Sequence, residues 1–422
     1  MRKTGGCVQN ITKGHTPFFI NRRMKRFVYL LFLLLMPLSL LAQKKEISQA
    51  KTNIKNGKNL EQAEQAMRKL LADSTNKDNE KIWLTLFDAV RKQYEQGNEK
   101  LYLKQGYDTA QLFTLTKKMF LVLEGFDSLD AIPNSKGVSA PSYRKRHADF
   151  LNDYRPNLYN GGLYFVNKQK YNEAYQLFDI YLDCARQPLF NAYKYAETDT
   201  NLCEAAYWTI YCGYKMQNPQ STLRHVTLAL CDTAHNHLIL QYLAETYKLQ
   251  GDTARYVTTL RTGFARYPQL PFFFPRLISY YGEKSDWNCV DSLSSEALRI
   301  DSANQTFRFA KSTALLNLGR YAECVSLCDT IIKADSTFPD AYYNAGLAYY
   351  RRAELLSRLP LTAARKKEIQ SSYASARPYV ERYRLLKPEE SSQWAMMLYN
   401  IYLNLNMGKE FEEIDRYIRG SK

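Results

Sequence analysis

The sequence predicts an all-α protein, a solenoid of helical hairpins, and three observations predict it. Apolar and small residues return every 34 residues across the centre of the chain, a period that holds two short helices and a turn. Every periodic segment reads at the helical spacing, and no alternating strand pattern competes. Composition agrees: 45% hydrophobic and 24% charged residues in a chain of 422 supply a sizeable core, while one long apolar run excludes a polytopic membrane protein. A repeat array also removes the need to split so long a chain into globular domains, because each hairpin packs only on its neighbours.

The N-terminus reads as an address. Phe27 to Leu41 is an apolar run of fifteen residues, which at 1.5 Å each reaches about 22 Å, short of the roughly 30 Å hydrocarbon core of a bilayer. Arg22, Arg23, Lys25 and Arg26 precede it and Ala42-Gln43 follows. The expectation is a signal peptide over residues 24–42, cut after Ala42. Starting at Met24 leaves an ordinary basic leader, Met-Lys-Arg-Phe, so residues 1–23 are read as an upstream mis-start. The ending Ser39-Leu-Leu-Ala-Gln43 resembles signal peptides of Bacteroides-type bacteria, which implies export to the periplasm or cell envelope of a Gram-negative bacterium. Gln43 stands where a lipoprotein needs Cys, so no lipid anchor and no membrane span after cleavage are expected. Removing residues 1–42 takes away seven cations and no acid, lowering the net charge from +16 to +9. That is a modest charge for an exported protein, and nucleic acid is not an expected partner.

The central repeats carry a resemblance. In Asp340 to Tyr350, the large, small and Tyr positions fall on Tyr342, Gly346 and Tyr349, and the segment resembles the first helix of a tetratricopeptide repeat (TPR). Steps of 34 residues back from Tyr342 reach Arg308, Phe274 and Leu240. Turns fall at Gly251-Asp252 and Leu318 to Tyr321, where one helix must stop before the next folds back. Earlier, Gly162, Phe165, Tyr171, Glu173-Ala174 and Phe178 reproduce the pattern most closely. The resemblance therefore implies a TPR-like superhelical array over residues 157–388.

Within that array, Pro188 to Leu202 reads as an extra linker, followed by a weaker hairpin with Tyr207, Tyr211, Tyr214, Leu223 and Leu230. Arg351 to Ser372 reads as two lengthened helices meeting near Leu359-Pro360. Residues 43–156 read as diverged helical repeats, with a helix from Lys104 to Phe126 and a loop from Asp127 to Pro141. Residues 389–422 supply capping helices, Ser391 to Leu405 and Lys409 to Arg419, atypical because their outer face meets water.

Chemistry-bearing residues are few. Cys324 and Cys328 share a helical face, yet they stand at the second-helix core places filled by Ala174 and Phe178 in the clearest hairpin, so buried core cysteine is expected. Cys231, His235 and His237, with His225, lack a companion cluster at metal-ligand spacing. Without Cys7 the cysteines number seven, an odd count at irregular spacing that rules out a disulfide framework as the organising principle. No phosphate-binding glycine loop, nucleophile elbow or zinc-protease helix occurs. The reading is a non-enzyme with no cofactor and no metal.

The resemblance also implies a concave groove lined by first helices that binds peptides or protein segments. By register the groove candidates are Gln241, Glu245 and Lys248; Arg276 and Ser279; Phe309, Thr313 and Asn317; and Tyr343, Asn344, Leu347 and Tyr350. Any one of them could equally be solvated surface. The carboxylate-clamping subtype is matched in kind only by Arg276 and Asn344, while Glu245 would repel a carboxylate. The expected function is an exported scaffold binding partner proteins in the cell envelope, of identity the sequence does not name. The alternative is a module for envelope polysaccharide or peptidoglycan, with an enzyme a distant third.

Overall fold

The computed structural model describes residues 42–420, so the expected mis-start and all but the last residue of the expected signal peptide lie outside the described residues. The described chain is all-α: helices joined by turns, with no strand among the described residues. It divides into two compact units that meet in sequence between Asp232 and Thr233.

The first unit runs through α1 (42–56), α2 (Leu60–Ala72), α3 (Glu80–Tyr102), α4 (Thr109–Asp130), α5 (Arg144–Asn167), α6 (Tyr171–Asp183), α7 (Tyr195–Thr198), α8 (Leu202–Lys215), α9 (Pro219–Leu223) and α10 (Val226–Ala229). From α2 to α6, consecutive helices pack on one another, and α8 packs on α6. Three expectations need correction here. The helix expected at Lys104 begins at Thr109 instead, because Lys104 sits in a left-handed turn (φ 57°) and the Asp108 carboxylate caps the new helix by accepting from the Ala110 N–H. That helix runs on to Asp130, shortening the expected loop.

The segment Pro188 to Leu202 is no solvated linker. Leu189, Phe190 and Tyr195 are buried, and Phe190 stacks on Phe120 at 6.1 Å. Arg155 of α5 fastens the segment: its guanidinium lies 3.8 Å from the ring centroids of both Tyr181 and Tyr195 and pairs with Asp199 at 2.7 Å. The Tyr181 hydroxyl donates to the same carboxylate at 2.6 Å and the Asn201 N–H at 2.9 Å, so this half-buried charge has three donors. Third, the hairpin on Tyr207 has no continuous second helix. It breaks into α9 and α10, and the break is pinned to α6 by Arg224, which reaches Asp179 and Asp183 at 3.0 and 2.8 Å, and by the His225 imidazole 2.6 Å from Asp179.

The second unit is five hairpins: α11 (Asn236–Leu249) with α12 (Thr253–Arg266), α13 (Phe273–Glu283) with α14 (Trp287–Ile300), α15 (Gln305–Asn317) with α16 (Tyr321–Ala334), α17 (Pro339–Ser357) with α18 (Ala363–Leu386), and α19 (Ser391–Asn404) with α20 (Gly408–Gly420). The 34-residue period appears in the packing. Tyr256, Val290 and Cys324 are buried one repeat apart, as are Leu260, Ser294 and Cys328, so the paired cysteines are core residues of α16. Gly346 lets α17 approach α18: a Cβ there would lie 2.6 Å from a Val380 methyl.

The turns keep the same period. A left-handed residue ends the first helix at Gln217, Gly251, Ser285 and Gly319 (φ 52°, 71°, 55° and 75°), each one repeat after the last. Asp252 and Asp286, also one repeat apart, cap the following helices by accepting from the N–H of Arg255 and Cys289. The long hairpin matches expectation, with α17 and α18 meeting across Arg358 to Thr362. Ala376, Val380 and Tyr383 hold in α18 the buried places of Cys324, Cys328 and Ile331 in α16.

Candidate functional site

Successive first helices touch in the second unit, and side chains at their contacts decide what remains for a ligand. From α13, Arg276 Nε donates to Glu245 Oε1 of α11 at 2.9 Å, and its guanidinium lies 3.7 Å from the Phe272 ring centroid. From α17, Asn344 Nδ2 donates to Ser312 Oγ and Thr313 Oγ1 of α15 at 3.2 and 3.0 Å. Both contacts span nearly one repeat, less about one helical turn, which is the offset that places side chains of adjacent first helices face to face.

The sequence-derived candidates divide accordingly. Lys248, Arg276 and Ser279 come together in one cleft of about 310 Å³ beside Gly251 and Thr253. Gln241 and Glu245 lie half-buried on α11, with Glu245 held by Arg276. On α15, Phe309 packs on Phe338 at 5.4 Å, Thr313 receives Asn344, and Asn317 is exposed and donates to the Thr313 carbonyl.

On α17 the groove assignment fails for Asn344, which is 4% exposed with its amide committed to α15. Tyr343, Leu347 and Tyr350 pack against the α18–α19 core: Tyr343 lies 5.1 Å from Tyr383, and the Tyr350 hydroxyl accepts from Asn400 at 2.7 Å. These contacts use apolar surface that a ligand would otherwise meet. The carboxylate clamp is not assembled, since Arg276 is neutralised by Glu245 and Asn344 is inside.

Three cleft residues were missed by register alone: Tyr256 from α12, and Tyr280 and Glu283 from α13. Glu283 was legible, because it lies one turn beyond Ser279 on the same face, and Ser279 Oγ donates to it at 3.1 Å. The cleft thus presents the ammonium of Lys248, which is in no ion pair among the described residues, the paired guanidinium of Arg276, a carboxylate at Glu283 and two phenols. This set suits hydrogen bonding and charge pairing with a polar ligand.

Among the described residues, one group of His, Cys, Asp or Glu ligand atoms lies close enough to share a cation: Asp179, Asp183 and His225. The Arg224 guanidinium already bridges its two carboxylates, so a cation occupies the position. Cys231 is exposed, with its thiol 3.8 Å from the Thr227 carbonyl, and Cys324 and Cys328 are buried.

The fold and the cleft define a helical-hairpin repeat protein. No protein-family model matches the chain, and no curated protein matches it. Among solved structures it is similar to the C-terminal part of a TPR repeat-containing protein from Cytophaga hutchinsonii, with TM-score 0.40, 10% identity, and coverage of 61% of this chain and 92% of that one. It is also similar to the TPR domain of P58(IPK), at TM-score 0.25 and 11% identity over 90% and 99% of the two chains. A third is the TPR2AB domain of yeast Sti1 in complex with pHSP90, at TM-score 0.24 and 16% identity over 74% and 98%.

Proposed function

We propose that the protein is an interaction scaffold that holds an extended segment of a partner protein in the cleft between α11, α12 and α13. The observation that carries this reading is the convergence of Lys248, Arg276 and Ser279 from two successive first helices, with Tyr256, Tyr280 and Glu283, on one open cleft. A polar peptide passing along the cleft meets a cation at Lys248 and an anion at Glu283, carried by successive first helices, which sets its direction as well as its affinity.

The scaffold acts after export, in the periplasm or cell envelope; the short apolar run and its Ala42-Gln43 boundary support this, and N-terminal sequencing of the protein from its native cell tests it. No helix of the described residues is long and apolar enough to cross a membrane. The protein works without catalysis.

The test is affinity capture of partners, followed by titration with a variant that fills the cleft, Ser279→Trp, and one that reverses its charge, Lys248→Glu. Both positions are exposed, so melting should be unchanged while affinity falls about tenfold or more. Full affinity in both variants removes the cleft from the function. Co-sedimentation with isolated cell-wall material that depends on Lys248 would move the reading to an envelope-polymer module.

A further inference from the structure

The longest hairpin of the second unit ends in a surface that the scaffold reading does not use. By register, the residues that lengthen α17 and α18 are the last turns of the one and the first turns of the other. At 1.5 Å per residue the ten additional residues of α18 carry the tip on the order of 15 Å beyond the end of α16's equivalent. The base of this extension is packed: Ala353, Ile369 and Tyr373 are buried.

Its end is not. Leu355, Leu359 and Leu361 are 55%, 48% and 72% exposed, three large apolar side chains within seven residues. Single exposed leucines are ordinary, but a group at one projecting end marks a contact surface.

Around these leucines stand Arg351, Arg352, Arg358, Arg365, Lys366 and Lys367, and among the described residues none of the six is in an ion pair. Arg365 donates to the Pro360 carbonyl, which closes the turn, and the Thr362 hydroxyl caps α18 by accepting from the Arg365 N–H. The acids nearby are Glu354 and Glu368, so cations outnumber anions by four between residues 351 and 368.

We propose that this tip docks on an anionic membrane surface, with the three leucines entering the headgroup layer and the surrounding Arg and Lys meeting lipid phosphates. The shape selects this occupant. A hairpin end is convex and touches a partner over a small area, so it suits a flat, deformable layer that can close around the leucines. The long cationic side chains can then extend sideways to the phosphates. Residues 351–368 contain no aromatic side chain of the kind that anchors a protein interface. The inference is independent of the cleft between α11, α12 and α13, and either can fail without the other.

The test uses the full chain and its variants, so that residues 1–41 are constant throughout. Sedimentation is measured with vesicles of phosphatidylcholine alone and of equal parts phosphatidylcholine and phosphatidylglycerol. The expected result is binding to the anionic vesicles that weakens as salt rises. It should fall about tenfold or more in Leu355→Ser/Leu359→Ser/Leu361→Ser, and likewise in Arg358→Gln/Lys366→Gln/Lys367→Gln, with unchanged melting curves. Leu361→Asp alone, at the most exposed site, should reproduce the loss if the triple leucine variant folds poorly. Equal binding by wild type and variants overturns the proposal. So does binding to soluble polyglutamate that matches binding to anionic vesicles and ignores the leucines, which would assign the tip to an acidic protein.

Discussion

Gly346 and Glu124 show how far one residue can govern this fold. Gly to Ala in a helix ordinarily gains about 1 kcal/mol. At position 346 the new methyl would lie 2.6 Å from Val380, and overpacking of this kind costs about 1–3 kcal/mol. Gly346→Ala is therefore expected to lower the melting temperature, and Val380→Ala in the same chain to recover part of the loss. Equal effects of Gly346→Ala with and without Val380→Ala would show that the close approach lies elsewhere.

Glu124 has a buried carboxyl whose Oε1 has no hydrogen-bond partner among the described residues. Burial first, and the Asp183 charge second, raise its pKa from 4.5 to about 8. Folding thus favours the protonated form. This contribution is complete below pH 4.5 and is lost as pH rises toward about 8. His147, kept neutral by burial down to about pH 4 from its ordinary 6.5, acts in the opposite sense, but only below pH 6.5. Between pH 6.5 and 8, urea unfolding should show stability falling by up to about 1 kcal/mol per pH unit. Glu124→Gln should flatten that slope, and an unchanged slope would exclude Glu124 as its source.

At the scale of the helical hairpin, the turn matters as much as the core. The left-handed residue recurs at Gln217, Gly251, Ser285 and Gly319, yet only two of these are glycine. An L-residue held in that region costs roughly 1–2 kcal/mol. Ser285 is exposed, so Ser285→Gly removes the strain without removing a buried contact and should stabilise by about 1 kcal/mol in denaturant titration. Gly251→Ala should destabilise by a similar amount. A null result at both would mean that the turns relax at little cost. The sequence marks the turns at Gly251 and Gly319 because glycine is there for the backbone. At Ser285 the backbone keeps the period while the side chain hides it.

At the largest scale, contact between neighbouring hairpins is the governing fact of the second unit. In the second unit each helix packs mainly on the next, with α15 also touching α17, so stability is a sum of local terms and a perturbation should spread only to adjoining hairpins. Hydrogen exchange followed by mass spectrometry on Gly346→Ala should show faster exchange in residues 339–386 and in the neighbouring α16 and α19, with peptides from residues 42–232 unchanged. Uniform acceleration across the chain would mean that the described residues unfold as one cooperative body.

The sequence by itself determined the class of fold, the helical pairs from Leu240 onward, the core placement of Cys324 and Cys328 and the long hairpin after Tyr350. Each follows from periodicity or from residues whose chemistry is local: a glycine that must turn, a small residue where helices meet, an apolar face repeated at a constant interval. Tertiary structure alone decided which first-helix side chains remain free. Arg276 is taken by Glu245 and Asn344 is drawn inside by Ser312 and Thr313, because the angle between successive hairpins brings together residues nearly a repeat apart. The same holds for Arg155, which reaches forward to Tyr181, Tyr195 and Asp199 and turns what reads as a linker into packed structure. Those pairings join residues whose own neighbours in the chain carry no sign of them, and only a folded backbone can bring them within reach.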